Sequence, residues 1–195
     1  MTPHRALLLA LPAALSLLPS LARAQTRDGG WRQGHPLALG ARASVRAGDY
    51  ALVGLGGHLR VQPHRLVTLE LFADHFVGTL NDALRHDHEV GGIVQLNVLR
   101  GDSWALYPLL GACATLAFVH SPQSGGPTVN DIHFGVRVGA GGQVSLGRGF
   151  GLQAQVEALG YLGHPFQVYR FTAQTAPDLA LYGLGQLTTA LNYSF

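Results

Sequence analysis

Ten polar residues stand at alternate positions of otherwise apolar segments, and they are the main candidates in this chain for binding or chemistry. They are Arg42, His58, Arg60, Glu70, Asp74, Arg137, Gln153, Gln155, Glu157 and Gln186. A period of two places such residues on one face of a β-strand. Because buried charges must be paired and hydrogen-bonded, a shared inward face predicts a polar network. If the segments close into a narrow barrel, we expect this network to fill the lumen rather than line an ion pathway.

A second candidate is the run His86-Asp87-His88-Glu89, with His75 and Asp82 nearby. Two histidines at positions i and i+2 of a strand point the same way and could share a metal ion. The run falls at the edge of a predicted loop, however, and no second spaced ligand pair follows it. We therefore predict a solvated loop here, with no cofactor, and the sequence leaves metal binding at His86 and His88 open.

The elements that position these residues begin after an export signal. A short basic start, an Ala- and Leu-rich stretch from Ala6 to Leu18, and Ala22-Arg23-Ala24 together read as a cleavable signal peptide over residues 1–24. Residues 25–36 are polar and Gly-rich, and we interpret them as a flexible leader. About 170 residues remain after the signal peptide, a size that suits one domain, which we place at residues 37–195.

The composition of the chain after the signal peptide excludes several classes of function. Across residues 25–195, eleven Arg residues balance eleven acidic residues, so no basic patch points to nucleic acid. Cys113 is the only cysteine, which excludes a disulfide framework. After the signal peptide no apolar run is long enough for a spanning helix, so a membrane location requires a β-barrel.

Eight amphipathic segments are predicted to be strands, each about long enough to cross a bilayer when tilted. They are Leu37–Arg46, Tyr50–Val61, Leu66–Val77, Glu89–Leu99, Trp104–Val119, Ile132–Leu146, Phe150–Tyr161 and Leu181–Phe195. The connections after the second, fourth and sixth strands are short, whereas residues 78–88, 120–131 and 162–178 are predicted to form long loops. This alternation is typical of outer-membrane barrels, whose short turns are periplasmic.

The character of the two faces indicates which one meets lipid. The polar faces are rich in Gly and poor in charge, which suits a narrow lumen better than a solvated surface. Aromatic residues gather near both ends of the strands, as interfacial girdles do. We assign Trp104, Tyr107, Phe150, Tyr193 and Phe195 to the short-turn end, and Tyr50, Phe76, Phe118, Phe134, Tyr161 and Tyr182 to the opposite end. A soluble exported β-sandwich or lipocalin-like barrel is the alternative.

The chain ends on the alternating sequence Leu191-Asn192-Tyr193-Ser194-Phe195. With the signal peptide, the eight strands and the alternating turns, this ending resembles the small outer-membrane β-barrel proteins of the OmpA/OmpX type. The resemblance implies an all-β, eight-stranded antiparallel up-and-down barrel in a Gram-negative outer membrane. It also implies that Leu191, Tyr193 and Phe195 act as the C-terminal signal read by the barrel-assembly machinery, after delivery by periplasmic chaperones.

We predict from this a monomeric, non-enzymatic barrel in contact with outer-membrane lipid and lipopolysaccharide, with a structural or surface-interaction role. The alternatives are a narrow channel and a lipid-modifying enzyme of the lipid A deacylase or acyltransferase type. The deacylase type places His and Ser two residues apart on a strand for nucleophilic activation. Here His120 and Ser121 are adjacent, which points their side chains to opposite faces.

Overall fold

The computed structural model describes residues 37–48, 51–80, 83–120, 129–163 and 180–195. The predicted signal peptide and leader lie outside these ranges. The described residues form a two-residue strand, Leu99–Arg100, and eight long strands: β1 Leu37–Ala47, β2 Ala51–His64, β3 Val67–Leu80, β4 Ala83–Leu96, β5 Trp104–His120, β6 Val129–Gly147, β7 Phe150–Gly163 and β8 Ala180–Ser194. Across these ranges no helix is long and apolar enough to cross a membrane.

The eight long strands close into a barrel. Each one pairs antiparallel with its neighbours in the chain, and β8 returns to pair with β1 from Ala38↔Ser194 to Ala47↔Gly185. This confirms the predicted antiparallel up-and-down barrel. Because every long strand has two partners, closure removes the exposed edges that an open sheet would present.

The register of the barrel follows from its paired residues. Starting at Leu37 and stepping from partner to partner, the path crosses Val61, Leu69, Val94, Leu110, Val138, Ala158 and Gly185, and it returns to β1 at Ala47. The return lies ten residues beyond the start. In an eight-stranded barrel this stagger corresponds to strands tilted by about 40° from the axis and a lumen just wide enough for side chains.

Two short turns show how the sequence sets the hairpins. Arg65 and Leu66 alone separate β2 from β3, and Gly147-Arg148-Gly149 connects β6 to β7. All three residues of the second turn have positive φ angles, of 83°, 52° and 85°. Glycine adopts this backbone region without the steric penalty of a Cβ atom, which explains the two glycines around Arg148.

The predicted long loop over residues 78–88 is wrong. Strand β3 continues to Leu80 and β4 begins at Ala83, so only residues 81–82 fall outside the described part of this connection. Two of the charged residues that suggested a loop, Arg85 and Asp87, point into the barrel, where Arg85 Nε donates to Asp87 Oδ1 at 2.7 Å. Polar side chains paired inside the barrel were therefore mistaken for solvated ones.

The strands that flank the other two predicted long loops extend further than predicted, so these loops are shorter than expected. Strand β5 extends to His120 and β6 begins at Val129, and β7 extends to Gly163 before β8 begins at Ala180. Residues 121–128 and 164–179, which include the remainder of both predicted loops, lie outside the described part of the chain.

Candidate functional site

The interior of the barrel is where the predicted polar residues meet. All ten are almost completely removed from solvent, with exposed fractions of 5% or less: Arg42, His58, Arg60, Glu70, Asp74, Arg137, Gln153, Gln155, Glu157 and Gln186. They come from β1, β2, β3, β6, β7 and β8, and in each strand the alternating backbone turns them to the inner face. The interior is therefore a candidate site built from six different strands.

Glu89 is the centre of the first of two hydrogen-bonded clusters in the lumen. Its carboxylate accepts hydrogen bonds from Arg46 Nη2 at 2.9 Å and from Arg137 Nη2 at 2.5 Å. The Thr115 hydroxyl at 2.8 Å and the Tyr161 hydroxyl at 2.6 Å donate to its second oxygen. Four strands thus converge on one buried carboxylate, which satisfies the condition for keeping a charge inside a protein.

Glu70 is the centre of the second cluster, nearer the short turns. Arg42 Nη1 donates to one carboxylate oxygen at 2.8 Å, and Gln95 and Gln153 donate to the other at 2.9 and 3.3 Å. Arg60 approaches the same oxygen with its Nε at 3.6 Å. The cluster spans β1, β2, β3, β4 and β7, so it ties together strands that are not neighbours in the sheet.

Phe72 lies between the two clusters. The guanidinium carbon of Arg42 is 4.5 Å from the centre of this ring, and that of Arg137 is 4.3 Å from it. Arg46 lies over Phe76 in the same manner, at 3.9 Å. Guanidinium groups are attracted to the electron-rich faces of aromatic rings. The buried aromatic rings therefore complete the interior without interrupting the charged network.

The charges inside the barrel balance among the described residues. Five arginines are buried in the lumen together with five buried carboxylates: Arg42, Arg46, Arg60, Arg85 and Arg137, and Glu70, Asp74, Asp87, Glu89 and Glu157. Two buried histidines, His58 and His133, accompany them, and His58 is hydrogen-bonded to Asn192. A balanced, mutually paired set carries no excess of one sign that would select ions of the other.

Sequence reasoning missed four of these ten charged lumen residues, namely Arg46, Arg85, Asp87 and Glu89. Arg46 ends the predicted first strand and shares the inward face of Arg42, but it is not among the ten residues predicted for the network. The other three were placed in the loop or at its edge, because β4 was predicted to begin only at Glu89. The recurrence of a charged residue at every second position, Arg85, Asp87 and Glu89, was the sequence signal that could have found these three.

The aromatic residues divide between wall and interior, which corrects part of the predicted girdles. Trp104, Phe150, Tyr193 and Phe195 are exposed at the short-turn end, with Phe150 and Tyr193 ring centres 5.0 Å apart. Tyr107, Phe76 and Tyr161 are instead buried in the lumen, because each stands at an inward position of its strand. Phe118 and Phe134 point outward near the other end of the barrel. The side chains of Tyr50 and Tyr182 are not among those that the structure describes.

The possible metal run splits between the two faces of β4. Asp87 and Glu89 point into the lumen, whereas His86 and His88 point outward. Asp82 lies outside the described residues. Within those residues, no group of three or more His, Cys, Asp or Glu side chains is arranged to hold a metal ion.

The last residues of the chain take part in closing the barrel. Leu191, Tyr193 and Phe195 are exposed on the outer face. The ring centres of Tyr193 and Phe195 are 5.2 Å apart, and the Phe195 amide donates to the Leu37 carbonyl at 3.1 Å. Ser121, the other half of the adjacent His-Ser pair, is not among the described residues.

Comparison with known proteins identifies the fold. No family model matches the chain, and no curated protein matches its sequence. Among solved structures, the chain is similar to Neisserial surface protein A, with a TM-score of 0.52 and 12% identity over 82% of this chain and 96% of that one. It is also similar to Ail, the attachment invasion locus protein of Yersinia pestis, with a TM-score of 0.50 and 15% identity over the same shares. With its closed ring of eight strands, the chain has the fold of the small eight-stranded outer-membrane β-barrels.

Proposed function

We propose that this chain is an integral outer-membrane β-barrel with a plugged lumen and a structural or surface-interaction role. In this proposal residues 1–24 export it, and periplasmic chaperones and the barrel-assembly machinery insert it as a monomer in contact with lipid and lipopolysaccharide. Two similar structures belong to a surface protein and an attachment invasion protein. We extend to this chain only that class of role.

The observation that carries this proposal is the inversion of the two faces. The outer wall exposes Leu55 to 72%, Leu110 to 64% and Val156 to 64%, while five arginines and five carboxylates are buried inside. Soluble monomers rarely expose contiguous apolar patches larger than a few hundred Å². An apolar wall around a polar interior is the arrangement expected of a barrel surrounded by lipid.

The filled interior favours a structural role over a channel. The clusters around Glu70 and Glu89 connect opposite sides of the lumen through hydrogen bonds of 2.5 to 3.3 Å. An ion would have to break several of these charge-assisted bonds to pass. We therefore expect no steady conductance when the purified protein is reconstituted in a planar bilayer. Regular open-channel current steps would reject the plugged lumen and favour a narrow channel.

Cell fractionation tests the location itself. The protein should be recovered in the outer-membrane fraction and should migrate differently on gels with and without boiling, because a closed barrel resists detergent. Recovery as a soluble periplasmic protein would reject the proposal.

A second experiment separates a non-enzymatic barrel from a lipid-modifying enzyme. The reconstituted protein is incubated with lipid A, and the lipid is then analysed by mass spectrometry. An enzyme would remove or add acyl chains, whereas a non-enzymatic barrel would leave the lipid unchanged.

A further inference from the structure

The outer wall of the barrel carries an unusual set of polar side chains. Away from the short turns, the outward positions of the described strands hold no Arg, Asp or Glu, yet they hold four histidines. These are His75 on β3, His86 and His88 on β4, and His120 on β5, which are adjacent strands. Polar side chains on a lipid-facing wall are costly at the bilayer centre and less so towards the interface, so a group of four on three adjacent strands calls for a functional account.

Two of these histidines face each other directly. His75 and His88 are paired residues of β3 and β4, and their ring centres are 4.5 Å apart. Their Nδ1 atoms are separated by 3.3 Å. A tetrahedral zinc ion with Zn–N bonds of about 2.0–2.1 Å holds its nitrogen ligands about 3.3–3.4 Å from each other. We infer that His75 and His88 form a two-histidine chelate for a divalent transition-metal ion of the Zn²⁺ or Cu²⁺ type.

The neighbours of the pair hold the two rings in this orientation. The His88 ring meets Phe118 edge-on, with centres 5.7 Å apart, and the His86 ring stacks on His75 at 5.6 Å. Rings fixed before binding lose less conformational freedom when the ion arrives. Two neutral imidazoles bind through Nδ1 with their protons on Nε2, so the ion replaces the proton between the two Nδ1 atoms and one ring changes tautomer.

The composition of the wall favours a metal cation over an anion as the ligand. No described outward position near the pair supplies a permanent positive charge such as Arg, whereas the imidazoles supply nitrogen lone pairs. The described residues do not assemble a third ligand, so water completes the coordination sphere and the affinity is moderate.

The height of the pair makes it accessible from water. His75 lies eight residues from Val67, the first residue of β3, and His88 lies eight residues from Leu96, the last residue of β4. In strands tilted by about 40°, eight residues rise about 20 Å along the axis. An apolar band of about 25 Å that starts at the short turns therefore ends only about 5 Å beyond the pair, which lies within reach of interfacial water.

Titration of the refolded full chain in detergent micelles tests the inference. Cu²⁺ binding is followed by calorimetry and by electron paramagnetic resonance, which detects coordinated nitrogen. We compare the wild type with His75→Ala, His88→Ala and His64→Ala, the last being an exposed histidine of the β2–β3 hairpin. Because the substituted side chains point outward, each variant is checked for retained heat-modifiable migration before titration.

We expect the wild type to bind one Cu²⁺ through two nitrogens. His75→Ala and His88→Ala should each bind Cu²⁺ at least about tenfold more weakly. The control His64→Ala should bind it as the wild type does. Unchanged binding in either single variant, or the absence of nitrogen coordination in the wild type, would overturn the inference. A His86→Ala variant as weak as His88→Ala would overturn the assignment of the pair. These readouts do not depend on the proposed cellular role.

Discussion

The backbone amide of Phe195 donates a hydrogen bond to the carbonyl oxygen of Leu37, with an N···O distance of 3.1 Å. The last residue of the chain therefore contacts the first residue of β1. Ser194 makes a similar bond to Gly149 on the other side, at 2.8 Å. The C-terminus is held by both of its neighbours at the seam where the barrel closes.

Deleting Phe195 should impair assembly of the barrel. The deletion removes the hydrogen bond to Leu37 and the ring contact with Tyr193, and it removes the terminal aromatic residue proposed as the assembly signal. We expect several-fold less protein in the outer membrane, measured by quantitative blotting of fractions. Phe134→Ala, which removes an exposed aromatic ring near the other end of the wall, is the control. Wild-type levels of the truncated protein would show that Phe195 is dispensable.

Replacing Glu89 by Gln should destabilise the folded barrel strongly. The amide keeps the size of the side chain but leaves the guanidinium groups of Arg46 and Arg137 without their shared carboxylate. Removing one partner of a buried ion pair costs about 3–5 kcal/mol. Urea unfolding followed by tryptophan fluorescence measures the change in the free energy of unfolding. Asp102→Asn removes an exposed charge at a short turn and should change it by less than about 0.5 kcal/mol; equal effects of the two substitutions would contradict the role given to Glu89.

Placing an arginine at Leu110 distinguishes a lipid-facing wall from a solvated one. Leu110 lies on the outer face of β5, six residues from Trp104, and so near the middle of the apolar band. An arginine there should cost about 2–4 kcal/mol in lipid vesicles. The matched change Leu66→Arg, in the β2–β3 turn, should be nearly neutral. If the outer face met water instead, both variants would unfold like the wild type.

Adding a methyl group at Gly56 should be destabilising, although the same change one residue later should not. A Cβ atom at Gly56 would overlap Asp74 Oδ1 and the Ala73 carbonyl oxygen. At Gly57, on the outer face, the nearest atom is the Gly40 carbonyl oxygen at 3.5 Å, an ordinary contact distance. Overpacking typically costs about 1–3 kcal/mol. We therefore expect Gly56→Ala to lower the urea midpoint and Gly57→Ala to leave it within error; the reverse order would show that the space around Gly56 is not limiting.

The sequence alone determined the strands and the faces of most residues. Alternation with period two is a local property, so each strand reveals its inner and outer residues without reference to its neighbours. All ten predicted lumen residues stand at inward positions for this reason. The same reasoning failed over residues 78–88, where Gly78 and a cluster of charged and histidine residues suggested a loop. Inside a barrel such charges are paired with one another, whereas in a loop they are hydrated. Composition alone does not distinguish the two cases.

Only the tertiary structure decided which side chains meet. Arg46 and Glu89 are 43 residues apart in the chain, and Arg46 and Gln186 are 140 apart, yet both pairs are hydrogen-bonded. These contacts depend on the pairing of every strand and on the ten-residue stagger accumulated around the ring. The same is true of His75 and His88, whose rings meet because β3 and β4 pair in one particular register. A side chain's face is fixed by its own strand, whereas its partner is fixed by the closure of the whole barrel.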